Sequence, residues 1–446
     1  MILALALIAL VGQEPVGAHI QRTMRLLATS TPLTRNTVRV LFYGQSITES
    51  AWWKEVASDL RRRFPYADLT IENKAIGGFA ADLLSRTVKY DVAPFRPDLV
   101  IFHDYGGEPD YESIVRFVRS QTTAELMLMD DMEPAPLRGG EPPNVIARQE
   151  WHDRHSTWLR GICRRFGCEF VNVRQPWKDL VLREGLQPLD LTVDGTHPNE
   201  RGNHLMASLL KPIFRYDPTL PRKAWAGVAY GGLIHWSKGH YRLAFQGNRV
   251  DLIPGRNFTG KKARPTTKVR VLIDGRPPSA TIGTYIFTRP SPLRAAWFPA
   301  ILQFQPPRTR PLVEDWTATV TAVAPDGNFI FDVRGSVTGW DGQGSTAADF
   351  VSRSGRIVIR RVDWTLDYAQ RVGTPATPVG FKVHWRVVPG YLDSYLPPPM
   401  PDSSLEYATT VAQGLRNGRH TLDLFTLDGH PGPISRVRIY RPPIHP

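Results

Sequence analysis

Ser46 stands in the run Phe42-Tyr43-Gly44-Gln45-Ser46-Ile47-Thr48, and far downstream lies Asp194-Gly195-Thr196-His197. A serine hydroxyl is a weak nucleophile at neutral pH and needs a base within hydrogen-bond reach. Histidine suits that duty because its ordinary pKa lies near neutrality. A carboxylate three residues before the imidazole shares one face of a helical turn with it. From there it would accept from the second ring nitrogen, fix the tautomer and stabilise the imidazolium. Ser46, Asp194 and His197 are therefore the candidate catalytic residues: nucleophile, orienter and base. Ser46 also falls where an apolar strand pattern gives way to a helix expected from about Glu49. Free N–H groups in such a first turn can face a developing oxyanion, which makes the Ser46 N–H a candidate donor.

Taken alone, a Gly-x-Ser turn is common and an Asp-x-x-His is often a solvated helix start. Their combination, with Asn73-Lys74-Ala75-Ile76-Gly77-Gly78 between them, is more specific. Over roughly residues 37–215 the chain resembles the SGNH, or GDSL-type, hydrolases. Gly44-Gln45-Ser46-Ile47-Thr48 is similar to the family's first block, with Gln in place of Asp. Asn73 to Gly78 is similar to its second block, and the resemblance implies that the Gly78 N–H joins the oxyanion hole. Asp194, His197, Pro198, Asn199 and Gly202 match its last block. The third block departs: the family's Asn donor is missing after the strand pattern Leu99-Val100-Ile101-Phe102. His103, Asp104, Tyr105 and Gly107 stand there instead as a possible active-site rim, Gly107 nearest the Asn position. The α/β-hydrolase elbow Gly-x-Ser-x-Gly fits less well, because Thr48 holds its second glycine position.

Other polar residues offer less. His152 and His155 stand three apart in a helical pattern, but no Cys or Glu at ligand spacing completes a set. A solvated helix face is expected there, with no metal and no cofactor. Cys163 and Cys168 are the two cysteines, awkwardly close for a disulfide, and are expected as buried free thiols.

The elements that must position these residues alternate in period between 37 and 215. Strands are expected at 38–43, 69–73, 99–103, 124–129 and 168–173. Helices are expected around 50–63, 79–88, 110–120, 147–165 and 200–213. This alternation predicts an α/β fold with a parallel sheet covered on both faces, and ligands at the carboxyl ends of its strands. The resemblance specifies it as a three-layer, flavodoxin-like hydrolase domain at 19–222. From about Trp225 the helical periods vanish and β-type runs, turns and prolines take over. All-β sandwich domains are expected there. One jelly-roll-like unit would be built from 225–281 plus 403–446, with a second module, 282–402, inserted in it. Each flanking segment alone has too few strands to bury a sheet face. Trp236 and Trp340 could stack on sugars, although burial is the commoner fate of an aromatic.

The chain has 446 residues, a net charge of +13 and far more Arg than Lys. The basic residues are spread throughout and accompany no nucleic-acid motif, so no nucleic-acid partner is expected. The apolar run Met1 to Val11 is too short to span a bilayer and suits a signal segment, 1–18, with cleavage near Val16-Gly17-Ala18. A secreted or periplasmic protein without a transmembrane span is expected. The functional expectation is a serine esterase removing small acyl groups, acetyl above all, from an acylated carbohydrate or a small ester. The alternatives are a lipase, thioesterase or acyltransferase using the same site, and a catalytically degenerate carbohydrate-binding or scaffold protein.

Overall fold

The computed structural model describes residues 14–133, 135–220, 228–255, 267–292, 299–366 and 376–444. Most of the expected signal segment and the boundaries at 222 and 225 lie outside the described residues. The end of that segment lies inside: Ala18 is buried, and the Gly17 and His19 N–H groups donate to the Glu169 carboxylate at 2.7 and 3.0 Å. Cleavage after Ala18 would remove one of those donors.

The first part of the chain begins with α1 (Gln21–Ala28) and β1 (Thr37–Gly44), then α2 (Ser46–Glu49), α3 (Trp52–Arg63) and β2 (Asp68–Asn73). It continues through α4 (Ala81–Phe95), β3 (Leu99–His103), α5 (Glu108–Gln121), β4 (Glu125–Met129) and α6 (Pro143–Phe166). It closes with β5 (Glu169–Val171), α7 (Arg174–Glu184) and α8 (Glu200–Leu210). The five strands form one sheet in the order β2-β1-β3-β4-β5, parallel throughout. β3 and β4 are buried along their whole length, as near-continuous apolar runs must be when helices cover both faces. One face packs on α1, α3, α7 and α8 through Met24, Trp52, Leu60, Trp177 and Met206. The other packs on α4, α5 and α6 through Leu84, Val88, Ile114, Val118 and Leu159. Burying each such aliphatic side chain contributes about 1.5–3 kcal/mol. α1 and α7 were not among the helices expected from the periodicity. Cys163 and Cys168 are buried and free.

The rest of the described chain is antiparallel. Its strands begin with β6 (Val228–Tyr230), β7 (His240–Pro254), β8 (Val269–Ile273), β9 (Tyr285–Phe287) and β10 (Ser291–Pro292). β11 (Glu314–Val323), β12 (Phe329–Gly335), β13 (Gly339–Ser345), β14 (Phe350–Val351) and β15 (Val358–Ile359) follow. β16 (Lys382–Pro389), β17 (Ser394–Tyr395), β18 (Thr409–Thr426) and β19 (Ile434–Arg441) complete the chain. One sheet runs β17-β8-β18-β7-β19-β6, and a second runs β10-β16-β11-β12-β13 with β9 on β16. In the first sheet the long β7 and β18 pair twice, on either side of an irregularity between Gln413 and Gly418. That break lets the two halves turn around one apolar cluster containing Phe245, Val250, Leu422 and Ile439. The second sheet buries Trp316, Phe331, Val383 and Trp385.

Both β units hold the hydrolase part. Leu302 inserts into the α4–α5–α6 core. Lys89 Nζ donates to the Phe304 carbonyl at 2.7 Å, and the Phe304 N–H donates to Tyr90 Oη at 2.6 Å. Asn248 Nδ2 donates to the Gln121 carbonyl at 3.0 Å, and Gln413 Nε2 to the Ala93 carbonyl at 2.6 Å.

Candidate active site

The turn that carries Ser46 is forced by Gly44. Its φ is +150°, and a Cβ there would lie 1.9 Å from the His103 carbonyl oxygen, so a side chain cannot be accommodated. The chain turns sharply out of β1 and starts α2 with Ser46 as its first residue, half-buried at the carboxyl end of the sheet. Gln45 caps this turn and is buried. The Asn73 side chain clamps the next loop against it. Its Nδ2 donates to the Thr48 carbonyl at 2.7 Å, while its Oδ1 accepts from the Ala75 N–H at 2.9 Å. The Ile76 N–H donates to the Gly44 carbonyl at 2.9 Å. Gly78, with φ +79°, is thereby held beside the serine turn in a conformation that favours glycine.

The second half of the site comes from the segment before α8. The Val193 N–H donates to the His197 carbonyl at 2.8 Å, and the Gly195 N–H to Thr192 Oγ1 at 2.9 Å, closing a tight loop. Asn199 caps α8 through the Gly202 N–H at 3.0 Å. Asn203 Oδ1 accepts the Trp52 N–H at 2.8 Å, which ties α8 to the helix following Ser46. Inside the loop the Asp194 carboxylate accepts the His197 N–H at 2.8 Å, the Thr196 N–H at 2.9 Å and His197 Nδ1 at 2.7 Å. These donors, the His197 backbone first, hold the Asp194 carboxyl down at about 2. His197 Nε2 lies 2.8 Å from Ser46 Oγ. An unbroken line of hydrogen bonds thus runs from Asp194 through His197 to Ser46, with residues distant in sequence brought together by β1 and α8. Such a line can move the serine proton onto the imidazole while an acyl carbon is attacked.

Residues 42–205, which contain this whole arrangement, match the model of the GDSL-like lipase/acylhydrolase family. They form a GDSL-like acylhydrolase domain. It is an ester hydrolase of the SGNH type. A search of curated proteins finds no match to the sequence. Among solved structures, the chain is similar to an acetylxylan esterase from Geobacillus stearothermophilus, at 17% identity and a TM-score of 0.36, over 42% of this chain and 98% of that one. It is similar to a two-domain esterase active on acetylated mannans at 12% identity and a TM-score of 0.35, over 96% of each chain. It is also similar to an alpha/beta hydrolase enzyme from the metagenome of Lake Arreo, at 18% identity and a TM-score of 0.35, over 41% of this chain and 98% of that one. Likenesses this weak bear on neither the substrate nor the individual residues.

The third segment of the acylhydrolase domain corrects the expected rim. His103 is fully buried, and its Nε2 faces Asp131 Oδ1 at 3.4 Å. Asp104 is buried as well, and burial pushes its carboxyl up. Both belong to the floor under the site, because β3 extends through His103 and pairs it with Gly44 and Met129. Tyr105 is half-buried and Gly107 is exposed at the start of α5. The expected solvated face at His152 and His155 is also corrected. His155 is 4% exposed and stacks between Trp151 and Trp158, with ring centroids at 5.0 and 5.1 Å. His152 Nδ1 lies 3.6 Å from Asp131 Oδ2. Among the described residues no group of three or more His, Cys, Asp or Glu is placed to hold a metal ion.

Two residues of the site carried no role in the sequence reading. Ser46 Oγ donates to Gln45 Oε1 at 2.8 Å. Glu49, one turn further on, accepts the Gly77 N–H at 2.9 Å. The first was visible as a departure from the family's Asp. The second had no signal, since its partner lies across a loop.

Proposed function

We propose that this domain hydrolyses small acyl esters, acetyl above all, on carbohydrate, with Ser46 as nucleophile, His197 as general base and acid, and Asp194 as orienter. The observation that carries the reading is the line of hydrogen bonds Asp194–His197–Ser46 at 2.7 and 2.8 Å. Ser46 Oγ attacks the ester carbonyl carbon as its proton passes to His197 Nε2. The oxyanion of the tetrahedral intermediate takes hydrogen bonds from the Ser46 and Gly78 N–H groups. His197 then gives its proton to the departing sugar oxygen, leaving an acyl-serine. Water attacks that ester as His197 takes its proton; the bond to Ser46 Oγ then breaks, His197 returns the proton to that oxygen, and the carboxylic acid leaves. Asp194 and His197 are both partly open to solvent, with side chains 51% and 38% exposed. A bulky alcohol such as a polysaccharide can approach so open a site.

A longer-chain lipase reading has one observation in its favour: Val193, next to Asp194 in the chain, and Leu189, five residues before Asp194, are exposed apolar residues that could take an acyl chain. Acetate release from a panel of acetylated polysaccharides, beside a series of aryl esters from acetate to octanoate, separates the two. The esterase reading expects acetyl to be preferred, and a rate that rises with acyl length would overturn it. Ser46→Ala should lose at least ~10³-fold in turnover while keeping the wild-type melting temperature. Near-wild-type activity in that variant would remove Ser46 from the mechanism.

A further inference from the structure

At the end of the parallel sheet remote from Ser46, the start of β1 and the segments leading into β3 and β4 meet α1 and the β7–β18–β19 sheet around a cavity of about 1090 Å³. β1 alone has eight residues, which places this cavity roughly 25 Å from the serine. Arginines outnumber carboxylates on its wall. Those carboxylates are already engaged. Glu125 accepts the Arg22 and Thr23 N–H groups at 2.9 and 2.8 Å. Asp251 holds Arg249 at 2.6 Å, and Glu406 holds both Arg436 and Arg438. Two guanidiniums have partners of another kind. Arg39 Nε donates to the Phe95 carbonyl at 2.6 Å, and Arg96 Nη1 donates to Thr410 Oγ1. Neither partner is a carboxylate. Burial lowers Arg96 most and the like charge of Arg249 next, with Asp251 opposing them ahead of the smaller effect of Arg39; the three guanidiniums share one wall.

Arg96 shows a second peculiarity. It follows α4 with φ +55° and ψ +55°, the left-handed conformation that glycine or asparagine usually supplies at a helix end. A larger L-residue there is strained. The chain nevertheless keeps a guanidinium at this point, on the wall of a cavity that already has an excess of positive charge. Tyr216, Tyr407 and Tyr440 also line it, and Arg249 lies 3.5 Å over the Tyr440 ring. The volume is at the upper end of pockets that enclose a ligand of several rings. Arginine forks match planar carboxylates, and flat aromatic rings with a polar tip suit sugars.

We propose that this cavity binds an acidic oligosaccharide, whose uronate carboxylates pair with Arg39 and Arg96. The charge requirement follows from the arginines, while the choice of a sugar rests on the carbohydrate reading of the active site. Binding here would hold an anionic glycan on the enzyme independently of Ser46.

Calorimetric titration of the full chain with trigalacturonate tests this without using ester hydrolysis as the readout. Saturable binding that weakens between about 50 and about 300 mM salt is expected. Neutral xylotriose should not reproduce it. Arg96→Gly should weaken it roughly 10-fold or more, yet melt no lower than wild type, because glycine suits φ +55°. Arg39→Gln should weaken it similarly. Affinity unchanged in both variants would overturn the proposal. So would equal binding of the neutral trisaccharide, or binding of inorganic phosphate with none of trigalacturonate. Competitive inhibition of aryl acetate hydrolysis by trigalacturonate would place the ligand at Ser46 and overturn it too.

Discussion

The Ser46 hydroxyl has one proton and two neighbours able to accept it, Gln45 Oε1 and His197 Nε2, each at 2.8 Å. It cannot donate to both. A carboxamide has nearly the same shape at its two ends, and the buried Gln45 Nε2 has no hydrogen-bond partner when the oxygen faces the serine. Turning the amide over satisfies Nε2 on Ser46 Oγ and frees the hydroxyl proton for His197. The cost is the long 3.4 Å bond from the Ile47 N–H to Oε1. Gln45 would then hold the Ser46 hydroxyl in line by donating to it, which the family's aspartate, as a carboxylate, cannot do. Gln45→Met keeps the length and removes the donor. It should lower kcat on an aryl acetate by roughly 10- to 100-fold, with little change in melting temperature. An unchanged kcat would show that the amide has no part in positioning Ser46. Asp194, held ionised down to about pH 2, should not titrate in weak acid, so its protonation would not limit activity there. At this scale the sequence revealed residue types and order. It did not reveal that Gln45 turns toward Ser46, because side-chain direction at a strand-to-helix turn depends on the Gly44 backbone.

At the scale of elements, long amphipathic patterns were legible and short or atypical ones were not. β1, β3 and β4 are apolar runs bounded by turns, and the structure places them within a residue or two of expectation. α7 escaped because Pro176 reads as a breaker, although in a first turn its missing N–H costs little. α6 is legible as a helix, but the spacing of its histidines alone does not show that His155 faces the core. Trp151 and Trp158 flank His155 by four and three residues, so all three rings share one side of the helix, and that side is packed. Burial, with the like charge of His152 second, lowers the His155 pKa from 6.5 to about 4. Between pH 6.5 and pH 4 the unfolded chain binds a proton that the folded chain refuses. Stability therefore falls with pH across that window, by up to about 3 kcal/mol from this group. Phenylalanine keeps a stacking ring and cannot titrate. In His155→Phe the urea midpoint should drop less between pH 6.5 and 4 than in the wild type, His152 contributing equally to both. Parallel pH profiles for the two proteins would count against this account.

At the scale of the whole molecule, strand content was legible and strand partnership was not. Phe245 lies opposite His420, and Val250 opposite Ile439, across most of the C-terminal part of the chain. No local pattern selects those partners. The pairing supports a nested division of the chain, which we retain as a proposal; the expected insert, 282–402, is shortened at its end, because β17 pairs with β8 in the first sheet. Trp340, suggested as a sugar platform, is exposed on the edge strand β13 with Arg353 over its ring, whereas Trp236 packs against the β7–β18 cluster. What sequence could not indicate is how a β unit reaches the loop beside Ser46. Arg289, at the base of the second sheet, donates to the Lys74 carbonyl at 3.1 Å and pairs with the buried Asp91 of α4 at 2.8 Å. Lys74 opens the loop that ends at Gly77-Gly78, so this pair fixes both the docking of the unit and the root of that loop. Arg289→Met should strand a buried carboxylate and cost about 3–5 kcal/mol in urea unfolding. It should also lower kcat, because the Gly78 N–H shifts with the loop. Arg289→Met combined with Asp91→Asn leaves no charge stranded. It should recover at least about 1.5 kcal/mol of that stability while kcat stays low, since the bond to Lys74 is still missing. If the double variant regains full activity, the loop does not depend on Arg289, and the pair serves only to dock the β unit.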